Sequence, residues 1–286
     1  MYKNLKIAAL IALFFAGRVS ADSHTDPDFN DDGTVNSIDY ALFTLQWGTR
    51  AGGENWDAKY DLNSDGVIDS VDYALFTLNW GKTFPVTTQN ARDVLVALYN
   101  ATGGANWTNK TNWLSDNDIS TWHGVSVSDG LVTGLDLSLN NLTGVIPAAL
   151  GNLTNLESLV LVGNQLRDEI PTELGNLTNL EKLNLSFNQL SGEIPAALGS
   201  LSNLEVLWLV SNQLSGAIPA PLGNLSNLEV LILNINQLSG ELPQSLTRLT
   251  NLMNFSFGNN RGLCAPSGLQ AWLQGVADTN GPNCSR

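Results

Sequence analysis

The stretch Leu180–Asn203, LEKLNLSFNQLSGEIPAALGSLSN, decides the fold of most of this chain of 286 residues. The same pattern returns every 24 residues (204 − 180 = 24). The copies begin at Val132, Leu156, Leu180, Leu204, Leu228 and Leu252, the last being degenerate. Each copy places apolar residues at positions 1, 4 and 6 and an asparagine at position 9. A repeat of this length predicts stacked coils that share one continuous core, because no single copy can bury its apolar face alone.

This LxxLxLxxN spacing is typical of leucine-rich repeats. We therefore expect a solenoid with parallel β strands on the concave face and irregular or 3-10 structure on the convex side. The asparagines at position 9 are expected to form a ladder whose amides satisfy buried backbone groups. They are Asn140, Asn164, Asn188, Asn212, Asn236 and Asn260.

The second half of each coil, LxGxIPxxLGxLxN, resembles the plant-specific subclass of these repeats, which also occurs in exported bacterial proteins. Residues 90–131 resemble the N-terminal cap of that subclass, and residues 260–286 read as its C-terminal cap. Plant caps write C-x-W-x-G-V-x-C where this chain has Ser120–Val127, STWHGVSV. Because Ser120 and Val127 replace the two cysteines, we expect this cap to be held by packing alone.

The chain contains two cysteines, Cys264 and Cys284. An exported chain meets an oxidising compartment, so we expect one disulfide that closes a loop of about 20 residues. A zinc or catalytic role would need further partners, and no histidine lies near them in sequence.

Two further stretches, Asp28–Asp39 (DFNDDGTVNSID) and Asp61–Asp72 (DLNSDGVIDSVD), are copies of one loop at a constant offset (61 − 28 = 33). Calcium prefers six to eight oxygen ligands from alternate positions of a tight loop with glycine at position 6. The sequence therefore predicts two calcium ions. The expected ligands are Asp28, Asn30, Asp32, Thr34, Asn36 and Asp39 in the first loop, and Asp61, Asn63, Asp65, Val67, Asp69 and Asp72 in the second.

A loop that ends in Asp at position 12 and is followed by a helix, in two copies, resembles the type I dockerin module of bacterial cellulosomes. The resemblance covers about Asp26 to Lys82. It implies a small, calcium-folded, all-α module related to the EF-hand that docks onto a cohesin domain of another protein. It also implies that the partner is read at loop positions 10 and 11, which are Ser37, Ile38, Ser70 and Val71. The helices here lack basic residues, unlike the clostridial examples.

We expect Tyr40, Leu42, Phe43, Leu45 and Trp47 to form the core of this module, since two short helices can bury little else.

The first 21 residues have the pattern of a secretory signal peptide, with Lys3 and Lys6 before the apolar run Ile7–Ala16. Removing them deletes three bases and no acid, so the formal charge changes from −14 to −17 (−14 − 3 = −17). Such an acidic surface argues against nucleic acid as a partner, and no other segment predicts a membrane span.

The expected organisation is a signal peptide (1–21), a calcium module (22–82), a linker (83–89), an N-terminal cap (90–131), repeats (132–259) and a C-terminal cap (260–286). The fold class is α/β, and we expect a secreted bacterial protein.

The concave strand face, at positions 2, 3, 5, 7 and 8, is the expected interaction surface. Phe187, Trp208, Val210, Ile232 and Ile235 predict an exposed apolar patch, which indicates either a binding site or self-association. The expected contact residues also include Val160 and Val162.

Position 2 carries a row of glutamates at 157, 181, 205 and 229. Their spacing superficially matches a glycosidase carboxylate pair, but they belong to the consensus of the coil and are expected to be exposed, so we expect no catalytic residues.

These patterns favour a secreted, non-enzymatic, calcium-dependent adaptor. Its dockerin-like module would dock to a cohesin-type partner, and its concave face would bind a protein or peptide. The alternative is an accessory or inhibitor of polysaccharide-degrading enzymes, either associated with a cellulosome or similar to polygalacturonase-inhibiting proteins.

Overall fold

The structure is a computed structural model, and it describes residues 27, 29, 35, 37–53, 56–78, 80, 88–260 and 262–284. The chain divides into two compact units, Met1–Pro85 and Val86–Arg286. The predicted signal peptide and residues 83–87 of the predicted linker lie outside the described residues.

Among its described residues, the N-terminal unit contains two helices of nine residues, α1 (Ser37–Leu45) and α2 (Ser70–Leu78), and a 3-10 turn at Ala58–Tyr60. Its centre is aromatic, because the rings of Phe43 and Phe76 stack with centroids 5.5 Å apart. Phe29 stacks on Phe76 at 5.8 Å. The buried residues of this core are Phe29, Val35, Phe43, Tyr60, Leu62, Ile68 and Phe76.

The C-terminal unit begins with helix α3 (Thr88–Ala101) and is built around one sheet of eight strands. The first two strands pair antiparallel, and every later pair in the sheet is parallel. Successive strands in sequence are neighbours in the sheet, so the chain advances by one coil per repeat and the predicted solenoid is confirmed. The strands are β1 (Val125–Ser128), β2 (Leu131–Asp136), β3 (Ser158–Val160), β4 (Lys182–Asn184), β5 (Val206–Trp208), β6 (Val230–Ile232), β7 (Asn254–Ser256) and β8 (Asp278–Asn280).

The other side of each coil consists of short strands and 3-10 helices. The short strands are Thr143–Gly144, Gln165–Asp168, Gln189–Leu190, Ser215–Gly216, Gln237–Leu238, Gly240–Glu241 and Leu263–Cys264. The 3-10 helices are Gly104–Asn106, Ile119–Thr121, Ala148–Asn152, Thr172–Asn176, Ala196–Ser200, Ala220–Asn224, Gln244–Arg248 and Ser267–Leu269, with α4 (Gln270–Gly275) closing the set. Each repeat 3-10 helix starts directly after an extended proline, such as Pro195, because proline fixes φ near the required value. Neighbouring coils approach closely here, since a Cβ on Gly199 would lie 2.4 Å from the carbonyl oxygen of Pro221.

The predicted asparagine ladder is confirmed. In the third coil the amide of Asn188 donates to the carbonyls of Leu161 (3.0 Å) and Leu185 (3.1 Å) and accepts from the N–H of Leu166 (3.0 Å). Asn164, Asn212, Asn236 and Asn260 make the equivalent bonds, whereas the amide of Asn140 in the first coil donates to the carbonyl of Asn109 in the N-terminal cap. Each amide therefore satisfies backbone groups that would otherwise lack partners.

The two caps close the core by different means. At the N-terminal end three indoles pack in sequence, with 4.7 Å between the Trp107 and Trp113 centroids and 5.0 Å between those of Trp113 and Trp122. Arg92 lies 5.0 Å from the Trp122 ring and donates to the carbonyls of Ser115 and Asn117, so packing and hydrogen bonds take the place of a disulfide. At the C-terminal end Cys264 and Cys284 form the predicted disulfide.

Candidate functional site

The loop Asp61–Asp72 of the N-terminal unit is folded around the side chain of its first residue. Asp61 Oδ1 accepts the N–H of Asp65 at 3.1 Å, and Asp61 Oδ2 accepts the N–H of Gly66 at 2.7 Å. The backbone turns sharply at Gly66, whose φ of +85° lies in the left-handed region that glycine tolerates. Glycine is therefore needed at loop position 6, as the sequence indicated.

The last carboxylate of the loop closes it from the opposite end. Asp72 is buried at the start of α2, where Oδ1 accepts the N–H of Asn63 at 3.2 Å and Oδ2 accepts the N–H of Asp69 at 2.8 Å. Burial raises the pKa of Asp72, and the negative charge of Asp61 raises it further. Two carboxylates are thus held close together in a partly dry environment, which favours a cation that offsets both charges.

The remaining donors of the loop fit an oxygen site for a hard cation. Asn63 Oδ1 accepts the same Asp65 N–H as Asp61 Oδ1, at 3.1 Å, so these two oxygens converge on one point of the loop. A carboxylate has about four acceptor positions, so Asp61 and Asp72 keep lone pairs after their two backbone bonds each. Within the described ranges, no group of three or more His, Cys, Asp or Glu side chains is arranged to hold a metal by itself. Amide and carbonyl oxygens would have to complete the site.

The first loop is described only in part. Asp28, Asn30, Asp32, Thr34 and Asn36 lie outside the described residues, and of Ser37 and Ile38 only the backbone is described. Two positions of the first loop can be compared with their counterparts in the second loop, and their burial is the same. Asp39 is as fully buried as its counterpart Asp72, and Val35 is as fully buried as its counterpart Ile68. The partner-reading positions in the second copy differ in exposure, since Ser70 is exposed and Val71 is half-buried.

The two helices leave more apolar surface exposed than the sequence indicated. Phe43 is buried and Leu42 is partly buried, but the prediction that Tyr40, Leu45 and Trp47 form core is wrong. Leu45, the last residue of α1, is 76% exposed. Among the described residues of this unit, the exposed large apolar side chains are Tyr40, Leu45, Trp47, Tyr73, Leu78 and Trp80.

The concave face of the solenoid carries the second candidate surface. Among the predicted contact residues, Phe187 and Ile235 are exposed, and Val162, Trp208, Val210 and Ile232 are half-buried. Val160 is buried, which corrects its placement in an accessible face. Trp208 lies between Asn184 and Ile232 in the register of the sheet, and the Lys182 ammonium lies 5.6 Å from its ring centre.

Position 8 of every coil has a left-handed backbone. The values of φ are +52° at Leu139, +70° at Gly163, +55° at Phe187, +57° at Ser211, +58° at Ile235 and +55° at Asn259. Glycine and asparagine adopt this conformation readily, whereas bulky and β-branched residues there are strained. Leu139, Phe187 and Ile235 are nevertheless 76%, 56% and 47% exposed, so their side chains gain no core packing in return. The exposed residues of this row are therefore candidates for a contact surface.

The glutamates at position 2 stack along one edge of the same face. The N–H of Glu181 donates to the carbonyl of Glu157, and the N–H of Glu205 donates to the carbonyl of Glu181, both at 2.8 Å. Like charges on neighbouring strands disfavour the fold slightly. The fold accepts other residues at this position, since Met253 stands there in the last coil.

Family models match both units. A type I dockerin domain model matches residues 26–77, and leucine-rich repeat models match residues 132–153, 155–177, 178–225 and 227–249. The chain is a leucine-rich repeat protein that carries a type I dockerin domain. No curated protein matches this leucine-rich repeat protein.

Solved structures match the repeat domain. They include the BIR3–SERK2 complex from Arabidopsis thaliana, with 34% identity over 60% of this chain and 93% of that chain and a TM-score of 0.52. The ectodomain of the receptor kinase SOBIR1 from Arabidopsis thaliana has 34% identity over 61% of this chain and 95% of that chain, with a TM-score of 0.52. PEPR1 in the PEPR1–AtPEP1 structure has 26% identity over 61% of this chain, with a TM-score of 0.53, and the present chain spans 28% of its length.

The dockerin domain and the leucine-rich repeats are both non-catalytic interaction modules, and together they suggest a protein-interaction adaptor. Dockerin proteins are typically extracellular, and the disulfide is compatible with secretion. In the part of the chain that the structure describes, no helix combines the length and apolar character that crossing a bilayer requires.

Proposed function

We propose that this protein is a secreted, calcium-dependent adaptor that joins a cohesin-type partner, held by the dockerin domain, to a protein or peptide held by the repeat domain. One observation carries the proposal: each of the two units exposes bulky apolar side chains. In the dockerin domain Trp47 and Trp80 are exposed, and in the repeat domain Phe187 and Ile235 are exposed. Joining two sites in one chain raises the effective concentration of one partner near the other.

Calcium would act in this scheme by shaping the dockerin domain. In the second loop the oxygens of Asp61, Asn63, Asp65, Asp69 and Asp72 and the carbonyl of Val67 would hold one ion, and the first loop would hold a second through Asp28, Asn30, Asp32, Thr34, Asn36 and Asp39. When bound, the ion supplies positive charge to a loop whose carboxylates otherwise repel one another. The chain itself contributes by positioning the carboxylates that would bind the ion. Hydrogen bonds from the N–H groups of Asp65, Gly66 and Asp69 orient the Asp61 and Asp72 carboxylates toward the loop.

The cohesin-type partner would contact the start of each helix, at Ser37, Ile38, Ser70 and Val71. The absence of basic residues from α1 and α2 predicts a partner surface that is apolar rather than acidic. Exposed Leu45 and Leu78 lie near the ends of the same two helices and would extend such an apolar contact.

The repeat domain would hold the second partner on its concave face. The support is the position-8 row, where Phe187 and Ile235 are both strained and exposed. The BIR3–SERK2 structure is a complex that involves a similar repeat domain. Phe187 and Trp208 are the central residues of the proposed contact on the concave face.

The test uses the full mature chain, immobilised, and purified cohesin domains in solution, with calcium or with EGTA. The expected result is cohesin binding in calcium only, unchanged in the Phe187→Ala/Trp208→Ala variant. In a parallel experiment, the wild type and the variant are each used to capture proteins from the culture medium. The variant should fail to capture one specific protein that the wild type captures, while it still binds cohesin. Cohesin binding that ignores EGTA, or a variant whose captured proteins equal those of the wild type, would contradict the corresponding half of the proposal.

A further inference from the structure

Two oxygen atoms on the concave face of the repeat domain are buried without a hydrogen-bond partner. They are the hydroxyl oxygen of Ser186 and Oδ1 of Asn234. Both residues occupy position 7, on the side of the sheet opposite the leucine core, and Ser186 is only 2% exposed. A buried polar atom without a partner costs about 1–3 kcal/mol, so native structures rarely keep one without a reason.

The two oxygens flank the apolar centre of the face. Ser186 is in the third coil, Asn234 is in the fifth, and Val210 occupies position 7 of the coil between them. Neighbouring strands are about 4.8 Å apart, so the oxygens are separated by about 10 Å. Three residues of a polyproline II segment span about the same distance, and because this extended helix has three residues per turn, their N–H groups point the same way. An extended segment of this kind that crosses the strands could therefore bring one backbone N–H group to each oxygen.

The neighbours of Ser186 on this face are apolar. Ser186 lies beside Val210 in the neighbouring coil. A ligand that supplies a hydrogen-bond donor to Ser186 recovers the cost of the unpaired hydroxyl.

The charge of the face selects the side chains of such a segment. Positions 2, 3, 5, 7 and 8 of the six coils contain five acids (Asp136, Glu157, Glu181, Glu205 and Glu229) and one base, Lys182, so the net charge is −4 (1 − 5 = −4). The glutamates form a row with about 4.8 Å between neighbours. A row of this kind favours lysine or arginine side chains in its partner, and the exposed Phe187 and Ile235 favour apolar ones.

We infer that the concave face selects an extended segment of a partner protein that carries lysine or arginine together with apolar side chains, and that Ser186 and Asn234 accept hydrogen bonds from its backbone. This inference rests on the proposed function of the repeat domain and names the class of its ligand. Glu181 and Glu205 read the basic side chains, and Ser186 is a specificity-determining residue rather than part of the core.

The experiment measures fluorescence anisotropy of three labelled twelve-residue peptides with the full mature chain. One alternates leucine with lysine, one alternates leucine with glutamate, and one alternates serine with lysine. The leucine–lysine peptide is expected to bind at least about tenfold more tightly than the other two, since both charge and apolar contacts are needed. Equal binding of the leucine–glutamate peptide, or of the serine–lysine peptide, overturns the inferred ligand class.

Matched variants separate this site from the general acidity of the chain. Glu181→Gln/Glu205→Gln should weaken binding of the leucine–lysine peptide by about tenfold. Glu169→Gln/Glu193→Gln removes the same charge from exposed positions outside the eight-stranded sheet and should leave it unchanged. If both pairs weaken binding equally, the attraction is non-specific and the inference fails.

Ser186→Val tests the unpaired hydroxyl, because valine already occupies position 7 in both flanking coils, at Val162 and Val210. The variant should keep or raise the melting temperature while weakening peptide binding by about threefold to tenfold. Unchanged binding would mean that an ordered water satisfies Ser186, which overturns its role.

If none of the three peptides binds, the inferred ligand class fails. The proposed function fails only if Phe187→Ala/Trp208→Ala also leaves the set of proteins captured from culture medium unchanged.

Discussion

The ring of Tyr73 packs edge to face against the ring of Trp47, with 6.1 Å between the centroids and 79° between the planes. The two residues belong to different copies of the duplicated unit, and the reciprocal pair, Tyr40 with Trp80, has a separation of 6.4 Å and an angle of 70°. The two tryptophans are 50% and 51% exposed. The helices α1 and α2 are therefore related by a local two-fold arrangement, and each supplies the same ring to the other.

This symmetry predicts equal effects from equivalent substitutions. Trp47→Ala and Trp80→Ala should each lower the free energy of unfolding of the dockerin domain by about 1–2 kcal/mol, through the lost aromatic pair and its buried area. Hydrogen exchange over residues 37–80 of the full chain measures this. Leu45→Ala is the control, because its exposed side chain has little packing to lose. A large loss from one tryptophan and none from the other would contradict the two-fold relationship.

The strained row at position 8 predicts a substitution that stabilises. Ile235→Asn should raise the free energy of unfolding by about 1 kcal/mol, because asparagine tolerates the φ of +58° at this position and Asn259 already occupies the equivalent place in the next coil. Chemical denaturation followed by circular dichroism measures the change. Ile232→Asn, on the regular strand β6, should destabilise instead. The explanation based on strain is wrong if the two variants lose stability to the same extent.

The asparagine ladder predicts unequal costs for two superficially similar residues. Asn188→Ala should cost about 2–4 kcal/mol, because it leaves the carbonyls of Leu161 and Leu185 and the N–H of Leu166 without their buried partner. Asn203→Ala removes a single exposed bond, from the amide to the carbonyl of Thr178 at 3.0 Å, and should cost less than about 1 kcal/mol. Similar losses in thermal unfolding of the two variants would argue against a structural role that depends on burial.

The N-terminal cap predicts a pH-dependent effect. A hydrogen bond from the Ser120 side chain holds the pKa of Asp118 below 3.8, with help from the Ser120 N–H and the positive charge of Arg92. A lowered pKa in the folded state means that this carboxylate stabilises the fold at pH values above 3.8, and the contribution is lost as pH falls through the folded-state value. Asp118→Asn should therefore lower the melting temperature at pH 7 and leave it unchanged near pH 2. A difference that persists in strong acid would show that charge is not the cause.

Much of the repeat domain was predictable because its determinants are local. The spacing of Leu183, Leu185 and Asn188 within one coil predicts a strand with one buried face, followed by an asparagine whose amide bonds to the backbone. The same spacing returns in each coil, so the same local structure is repeated along the solenoid. The disulfide between Cys264 and Cys284 followed from the composition of the chain. A second ladder, in which Asn179 and Asn203 donate to carbonyls of the preceding coil, was missed. Its signal was present as an asparagine just before the first leucine of the second to sixth coils.

The surfaces were less predictable, because exposure depends on tertiary packing. Leu45 and Trp47 have the character of core residues, yet the Phe29, Phe43 and Phe76 rings already fill the centre of the dockerin domain. Val160 lies at a strand position that usually faces solvent, but it is buried. The left-handed backbone at Phe187 and Ile235 could not be derived from residues that normally avoid it. The unpaired oxygens of Ser186 and Asn234 are likewise visible only once neighbouring coils are placed side by side.

Calorimetric titration of calcium into the full mature chain tests the central claim most directly. We predict uptake of two ions, uptake of one in Asp72→Asn and in Asp39→Asn, and a calcium-dependent rise in hydrogen-exchange protection confined to residues 37–80, since these loops gain their compensating charge from the ion. Asp57→Asn, at an acid outside both loops, should bind as the wild type does. Absence of calcium uptake, or uptake that the loop variants do not alter, would contradict a calcium-dependent adaptor.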